Sequence, residues 1–290
     1  MTDVDADRVS VLLKTPVADV SPLDGGSICR AVRVRLAGGR LAFAKSARGV
    51  APPGFFAAEV NGLRWLADAD GGPPVPAVLG VDDNVLVIEW VESGPASTEA
   101  AEGFGAALAV LHATGADTFG APWPGYIGSA PMDNATEPSW PEFYAARRVL
   151  PYVRLLRDEG TLADAAVFDR LVDRLPGLAG PAEPPARLHG DLWSGNVLWG
   201  ADGRVWLVDP AAHGGHRETD LAMLQLFGAP KLDRILAAYC DAAAAGGRPL
   251  AAGWPDRVEL HQLFPLLVHA VLFGGGYVGR AVAIARHYAG

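Results

Sequence analysis

The sequence predicts an α+β fold in two lobes, a small antiparallel sheet up to residue 91 and a larger, mainly helical body from residue 99 onward. Three observations carry that expectation. Short β-prone runs crowd the first third (Val32–Leu36, Leu41–Lys45, Val78–Val81, Val85–Val91), several of them closed by Gly-Gly or Asp-Asp-Asn turns. From Glu99 on, apolar residues recur at helical spacing instead, as in Phe104, Leu108 and Leu111. Late in the helical part, two β-prone runs, Val197–Trp199 and Val205–Val208, flank Gly200-Ala201-Asp202-Gly203, which predicts a hairpin.

In chain order, residues 1–20 read as a short helix. Gly25, Gly26 and Ser27 stand just before the alternating run Val32–Leu36, where a glycine loop can present backbone N–H groups to phosphates; a plain β-turn reads the same way. Lys45 ends the next strand, and Phe55–Leu66 forms an amphipathic helix carrying Glu59 among Phe55, Phe56, Leu63 and Leu66. Strand lysine followed by helix glutamate is the order of the pair that orients the α- and β-phosphates of ATP in kinases. Gly71–Pro76 is a rigid connector, and the hairpin at 78–91 runs into a polar link at 92–98. That link reads as a hinge between lobe 1–91 and lobe 99–290, with the main chain of Glu89 and Val91 meeting the adenine edge in a kinase reading. The helix at 100–112 ends on His112, where a contact with the helix dipole is expected. Residues 114–139, rich in Gly, Pro and aromatics, are expected to shape a substrate pocket. Helices restart at 140–150, near 162–175 and at 218–228, and 261–277 is core, with His261 and His269 packed rather than ligating.

The chemistry concentrates in His189-Gly-Asp-Leu-Trp-Ser-Gly-Asn196 and the hairpin after it. Asp191 and Asn196 have the spacing of a kinase catalytic loop. A two-residue loop at Asp202-Gly203 pairs Ala201 with Arg204, Trp199 with Trp206, Val197 with Val208, and Asn196 with Asp209. Opposed residues share a face, so an amide oxygen and a carboxylate converge, an oxygen set suited to Mg2+ beside ATP phosphates. Asp191, in the turn that feeds the ribbon, is placed to accept the proton of an attacking hydroxyl. Each residue alone reads equally as a turn or strand-end residue; it is the combined spacing that points to phosphoryl transfer.

Composition narrows the partners. Half of the 290 residues are apolar, ample for a core. A net charge of −9 argues against nucleic acid as the main partner. No apolar run of membrane-spanning length and no signal-like amino terminus stand in the sequence, so no membrane is expected. Cys29 and Cys240 lie far apart without metal-ligand spacing and read as reduced thiols of a cytoplasmic protein, Cys29 as a buried thiol near the nucleotide loop. Eight residues separate Asp209 from Glu218, and Asp209 is followed by Pro-Ala; that leaves no room for a protein-docking activation segment and favours a small substrate.

Leu188–Asn196, Val208–Ala211, Arg217–Gly228, Gly125–Gly128, Trp140–Arg148 and Phe273–Tyr277 closely resemble the fructosamine (ketosamine) 3-kinase family, over residues 20 to 280. The Trp-Ser-Gly inside the loop is the most specific part. The resemblance implies a bilobal protein-kinase-like fold and ATP- and Mg2+-dependent phosphorylation of the sugar 3-hydroxyl of a small or protein-linked ketosamine. The product then releases its amine, which would repair glycated molecules. Carried over by position, Asp191 is the base, Asn196 and Asp209 hold magnesium, and Lys45 with Glu59 hold phosphates. Asp220 braces the catalytic loop or simply caps its helix. Trp193 stacks on the sugar or packs between lobes, and Arg217 is an acceptor-side candidate. Ser27-Ile28-Cys29, Ala212–His216 and Val271 depart from the family pattern, which leaves the choice of sugar open. Competing readings are an aminoglycoside- or choline-like phosphotransferase and a nucleotide-binding regulator without turnover.

Overall fold

The computed structural model describes residues 4–24 and 28–290, so the glycine loop Gly25, Gly26 and Ser27 lies outside the described residues. The chain runs α1 (Ala6–Leu13), β1 (Val17–Leu23), β2 (Cys29–Leu36), β3 (Leu41–Ala47), α2 (Phe55–Ala67), β4 (Val78–Val81) and β5 (Val85–Glu89), then α3 (Thr98–Thr114), β6 (Gly125–Ile127) and β7 (Ala130–Met132). There follow α4 (Trp140–Phe143), α5 (Leu150–Asp158), α6 (Ala166–Leu178), β8 (Ala186–Leu188), β9 (Val197–Trp199), β10 (Val205–Leu207) and β11 (His213–Gly215). The chain closes with α7 (Glu218–Phe227), α8 (Leu232–Ala245), α9 (Val258–Phe273) and α10 (Tyr277–Ala289).

Strands β1 to β5 form one antiparallel sheet in the order β1-β2-β3-β5-β4. Its two faces explain its sequence. Val85 and Val87 join Val32, Val34, Ala42 and Ala44 on the face covered by α1, while Leu86 and Ile88 pack with Phe56, Val60 and Leu63 of α2 on the other. A strand covered on both sides reads as a continuous apolar run, which is why β5 lacks alternation. Period two then fixes Lys45: it pairs with Leu86 and therefore points to the α2 face. Gly62 lets α2 lie close over the segment after Asp209, because a Cβ there would stand 3.2 Å from both Pro210 and Ala212.

The helical lobe has two cores. One joins α3 and α8 with β9 and β10; the other joins α5, α6, α9 and α10 around Phe168, Leu171 and Phe264. The expected helix at 140–150 is present, runs on to Asp158 and changes its pitch in the middle. Residues Tyr144–Val149 make a π-turn between α4 and α5. Pro151 has no N–H to give the Arg147 carbonyl, and Arg148 Nη1 donates to that carbonyl instead, at 3.1 Å. The segment 114–139 forms the β6–β7 hairpin, whose Tyr126 hydroxyl donates to the Pro53 carbonyl at 3.0 Å and so ties the helical lobe to the start of α2. No helix among the described residues is long and apolar enough to cross a membrane.

One further expectation fails. Ala212–His216, read as bearing on the choice of sugar, is buried: His213 and His216 lie in the core beside Phe143 and Trp140. The segment after β5 is clipped to the β9–β10 hairpin, since the Gly94 N–H donates to Trp199 O at 2.7 Å and the Ala201 N–H to Glu92 O at 2.8 Å.

Candidate active site

The site assembles where the sheet lobe faces the β9–β10 hairpin. Phe56, Glu59, Val60, Leu63 and Leu66 share the buried stripe of α2, so Glu59 enters the core with its helix. A carboxylate buried there requires a counter-charge. Lys45 Nζ supplies it at 2.8 Å from Glu59 Oε2, with the two side chains only 7% and 10% exposed. The same ammonium holds Asp209 Oδ1 at 2.7 Å, and the Asp209 side chain is 48% exposed. Burial works against the Lys45 charge, but Asp209 and Glu59 outweigh it and hold the ammonium above its ordinary range. Burial likewise opposes Asp209, and Lys45 overrides it to keep that carboxyl below the usual range. Burial pushes Glu59 up to about 7 against the pull of Lys45.

The catalytic-loop segment is fixed from beneath. Asp220 accepts the His189 N–H at 2.8 Å and the Gly190 N–H at 3.0 Å. His189 is wholly buried; its Nε2–H donates to Val208 O at 2.9 Å while Nδ1 accepts the Asp191 N–H at 3.2 Å, which sets the neutral tautomer. Gly190 has φ 82, and a Cβ on it would collide with the Ala211 carbonyl, so glycine is required where the loop turns. Beyond it, Asn196 Nδ2 donates to Asp191 O at 2.9 Å and to Asp191 Oδ2 at 3.0 Å. Burial pushes the Asp191 carboxyl up to about 7; Asn196 opposes this, and Asp209 and Asp220 add to it.

The hairpin register differs by one residue from the expected one. Trp199 pairs with Val205 and Val197 with Leu207. The loop holds three residues, Ala201, Asp202 and Gly203, with Gly203 at φ 77, the three-residue geometry that ends in a left-handed glycine. Asn196 O therefore accepts the Val208 N–H at 3.1 Å, and Asn196 stands opposite Val208. Asp209 adopts φ 52 and leaves extended geometry, so alternate-face counting stops at Val208, and the contact between the two residues is from the Asn196 amide nitrogen to the Asp209 backbone carbonyl. Asn196 Nδ2 lies 3.5 Å from Asp209 O.

The side-chain oxygens of Asn196 and of the half-exposed Asp209 are hard donors of the kind magnesium takes when it is carried with a polyphosphate, and Lys45 beside Asp209 would balance a phosphate. A second group of ligand-capable atoms, on His216, Glu218 and His261, lies within 4.8 Å. There Arg257 donates to both Glu218 oxygens and Trp140 stacks on His261, so a guanidinium already fills the cation's place.

Two expectations change. Arg217 does not face the acceptor: it is buried, donates to both Glu183 oxygens at 2.7 and 2.6 Å and to the Pro249 carbonyl at 2.7 Å, and so joins α7 to the chain beyond α8. His112 makes no mere dipole contact; its Nε2 stands 3.2 Å from Asp220 Oδ2 and its Nδ1 2.8 Å from the Tyr239 hydroxyl. Nothing in the sequence links positions 112 and 220. Trp193 is 38% exposed and meets Phe227 edge-on. Glu89 and Val91 lie at the end of β5, where the Glu89 N–H donates to Ala77 O at 2.8 Å.

Two lobes with a lysine–glutamate pair above and an Asp/Asn/Asp set below define a phosphotransferase of the protein-kinase-like fold. A macrolide 2'-phosphotransferase from Brachybacterium faecium shares that fold, with a TM-score of 0.61 at 18% identity over 98% of both chains. The family model for fructosamine kinase matches residues 6–289, and the chain belongs to that family. A probable ketoamine kinase of Thermus thermophilus is 36% identical over 269 residues, 89% of each chain. A solved structure from Thermobifida fusca, named for fructosamine-3-kinase, is 49% identical, covers 99% of both chains and superposes with a TM-score of 0.91.

Proposed function

We propose that this protein is an ATP-dependent kinase that phosphorylates the sugar 3-hydroxyl of a ketosamine, freeing the amine afterwards in a repair of glycated metabolites or proteins. The observation that carries the reading is the Asp191 carboxyl, held by Asn196 and raised by burial to about 7, in a chain of the fructosamine kinase family. In this reading Asp191 accepts the hydroxyl proton as the sugar oxygen attacks the γ-phosphorus of ATP. The bond to the β-bridging oxygen breaks, and ADP leaves with its electron pair. Lys45, steadied by Glu59, holds the α- and β-phosphates, the main chain of Glu89 and Val91 takes the adenine edge, and Gly25–Ser27 cover the phosphates. Asn196 and Asp209 hold magnesium, which when bound neutralises charge on the phosphate oxygens. Asp220 keeps the loop rigid, and Trp193 offers a face to the sugar. The two free cysteines suit a reducing compartment, and we place the protein in the cytoplasm; burial pushes the Cys29 thiol up to about 11, so it stays protonated.

The test is ADP release with ATP, magnesium and ribulosyl- or fructosyl-lysine. Turnover of either supports the reading; turnover of aminoglycosides or choline-like alcohols alone overturns it.

A further inference from the structure

A strip of rings starts two residues beyond Asp191. Trp193 meets Phe227 with centroids 6.1 Å apart, Phe227 meets His269 at 4.7 Å, and His269 meets Phe273 at 5.5 Å and Tyr277 at 5.2 Å. Three elements build it. Phe227 ends α7, His269 and Phe273 stand one turn apart on α9, and Tyr277 opens α10 after three glycines. Among the described residues six large hydrophobic side chains are exposed, and the two that carry rings, Trp193 at 38% and Phe273 at 53%, both stand on this strip. Phe227, His269 and Tyr277, half-buried, connect them, and an exposed apolar patch marks a binding site. Leu272, next to Phe273 at the end of α9, packs on the β6–β7 turn beside Ile28: a Cβ on Gly128 would lie 2.8 Å from both.

We propose that Phe227, His269, Phe273 and Tyr277 continue the Trp193 surface into a subsite for the part of the acceptor borne on the ketosamine nitrogen, and that it favours amines carrying an aromatic or long apolar chain. The inference rests on the ketosamine reading above and names what that reading leaves open. Ring faces attract alkyl and aryl groups by stacking and the protonated ketosamine nitrogen by cation–π contact. The same faces repel a carboxylate, because the ring quadrupole is negative there. Burial holds His269 below its ordinary value, against the Pro265 carbonyl 2.7 Å away, so the imidazole is neutral at pH 7 and does not repel a cation.

The experiment compares fructosyl-benzylamine with fructosyl-glycine by ADP release on the intact chain. Wild type is expected to prefer the benzylamine adduct by about tenfold in kcat/KM. Phe273→Ala and Tyr277→Ala remove most of that preference by raising KM for the aryl acceptor, with kcat and the glycine adduct changed by less than about twofold. Tyr277→Phe keeps the ring and the preference, and thermal midpoints check that the variants fold. Equal use of the two adducts by wild type overturns the subsite, as does a parallel loss of kcat on both in the alanine variants. No ADP from either adduct or from the lysine ketosamines sinks the ketosamine reading itself and the subsite with it.

Discussion

Lys45 and Asp209 are 164 residues apart in sequence, yet their charged atoms stand 2.7 Å from each other, and the same ammonium reaches Glu59 at 2.8 Å. One cation thus joins the sheet, its helix and the hairpin. Lys45→Met strips the buried Glu59 of its counter-charge and drives the carboxyl to its protonated form, a loss of up to about 3–5 kcal/mol. Replacing both, Lys45→Met with Glu59→Leu, is expected to recover most of that stability while nucleotide affinity stays lost. Urea midpoints and ATP titration separate the two effects. A double variant as unstable as the single one overturns this account.

The two aspartates of the cleft should part company on mutation. Asp191→Asn removes the proposed proton acceptor while keeping the Asn196 contact, and kcat is expected to fall by about 10²–10⁴ with ATP affinity changed less than about twofold. Asp209→Asn removes the carboxylate that Lys45 holds and that the proposed mechanism gives to the metal, so magnesium-dependent ATP binding is expected to weaken as well. Calorimetric titration of ATP with and without magnesium, beside steady-state rates, reads both outcomes. A near-normal rate for Asp191→Asn excludes its role as base.

Why some of this was readable in the sequence follows from how local each signal is. Lys45 and Glu59 announce themselves through strand and helix periods, because each sits on a face whose neighbours are apolar. The hairpin was legible as a hairpin, but its register was not: Asp202-Gly203 suits a two-residue loop as well as the three-residue one, and the left-handed turn at Asp209 leaves no mark on composition. Strand β1 escaped because it is an edge strand that carries Pro22 and buries none of its side chains fully. Strands β8 and β11 are three residues long, and His213-Gly214-Gly215 has no β-propensity to display. Arg217 looked like a substrate residue because a sequence shows a charge and not its partner; Glu183, the partner, is 34 positions away.

Acid is expected to weaken the fold from about pH 6.5 downward. Burial, reinforced by Arg148, holds His213 at about 3, and burial with His261 alongside does the same to His216. Burial also lowers His189 and His261. An unfolded imidazole takes its proton near 6.5, so below that value the unfolded chain binds more protons, and each such group removes up to about 1.4 kcal/mol per pH unit. Glu59 and Asp191 act oppositely, since at about 7 the folded chain protonates them before the unfolded one does. The opposing groups leave stability near level around pH 7; the four histidines prevail below about 6.5. Urea midpoints at pH 7.5, 6.5 and 5.5 test the sign. A midpoint that holds or climbs down to pH 5.5 contradicts it.

The brace under the loop gives the last prediction, because it separates holding from reacting. Asp220 touches no substrate in the proposed mechanism; it accepts the N–H groups of His189 and Gly190, and His112 with Tyr239 behind it holds the carboxylate in place. Asp220→Ala strands two buried N–H groups, at about 1–3 kcal/mol each, and frees the turn that carries Asp191. His112→Phe leaves those two bonds intact and removes only the outer support, so its stability cost is smaller, about 1–2 kcal/mol. If orientation of Asp191 is what the brace provides, His112→Phe lowers kcat by about tenfold while KM for ATP stays within about twofold. His112→Gln, which can still donate to Asp220, should restore much of the rate. A loss of stability in His112→Phe with kcat unchanged would make the contact purely structural and remove His112 from the positioning of the base.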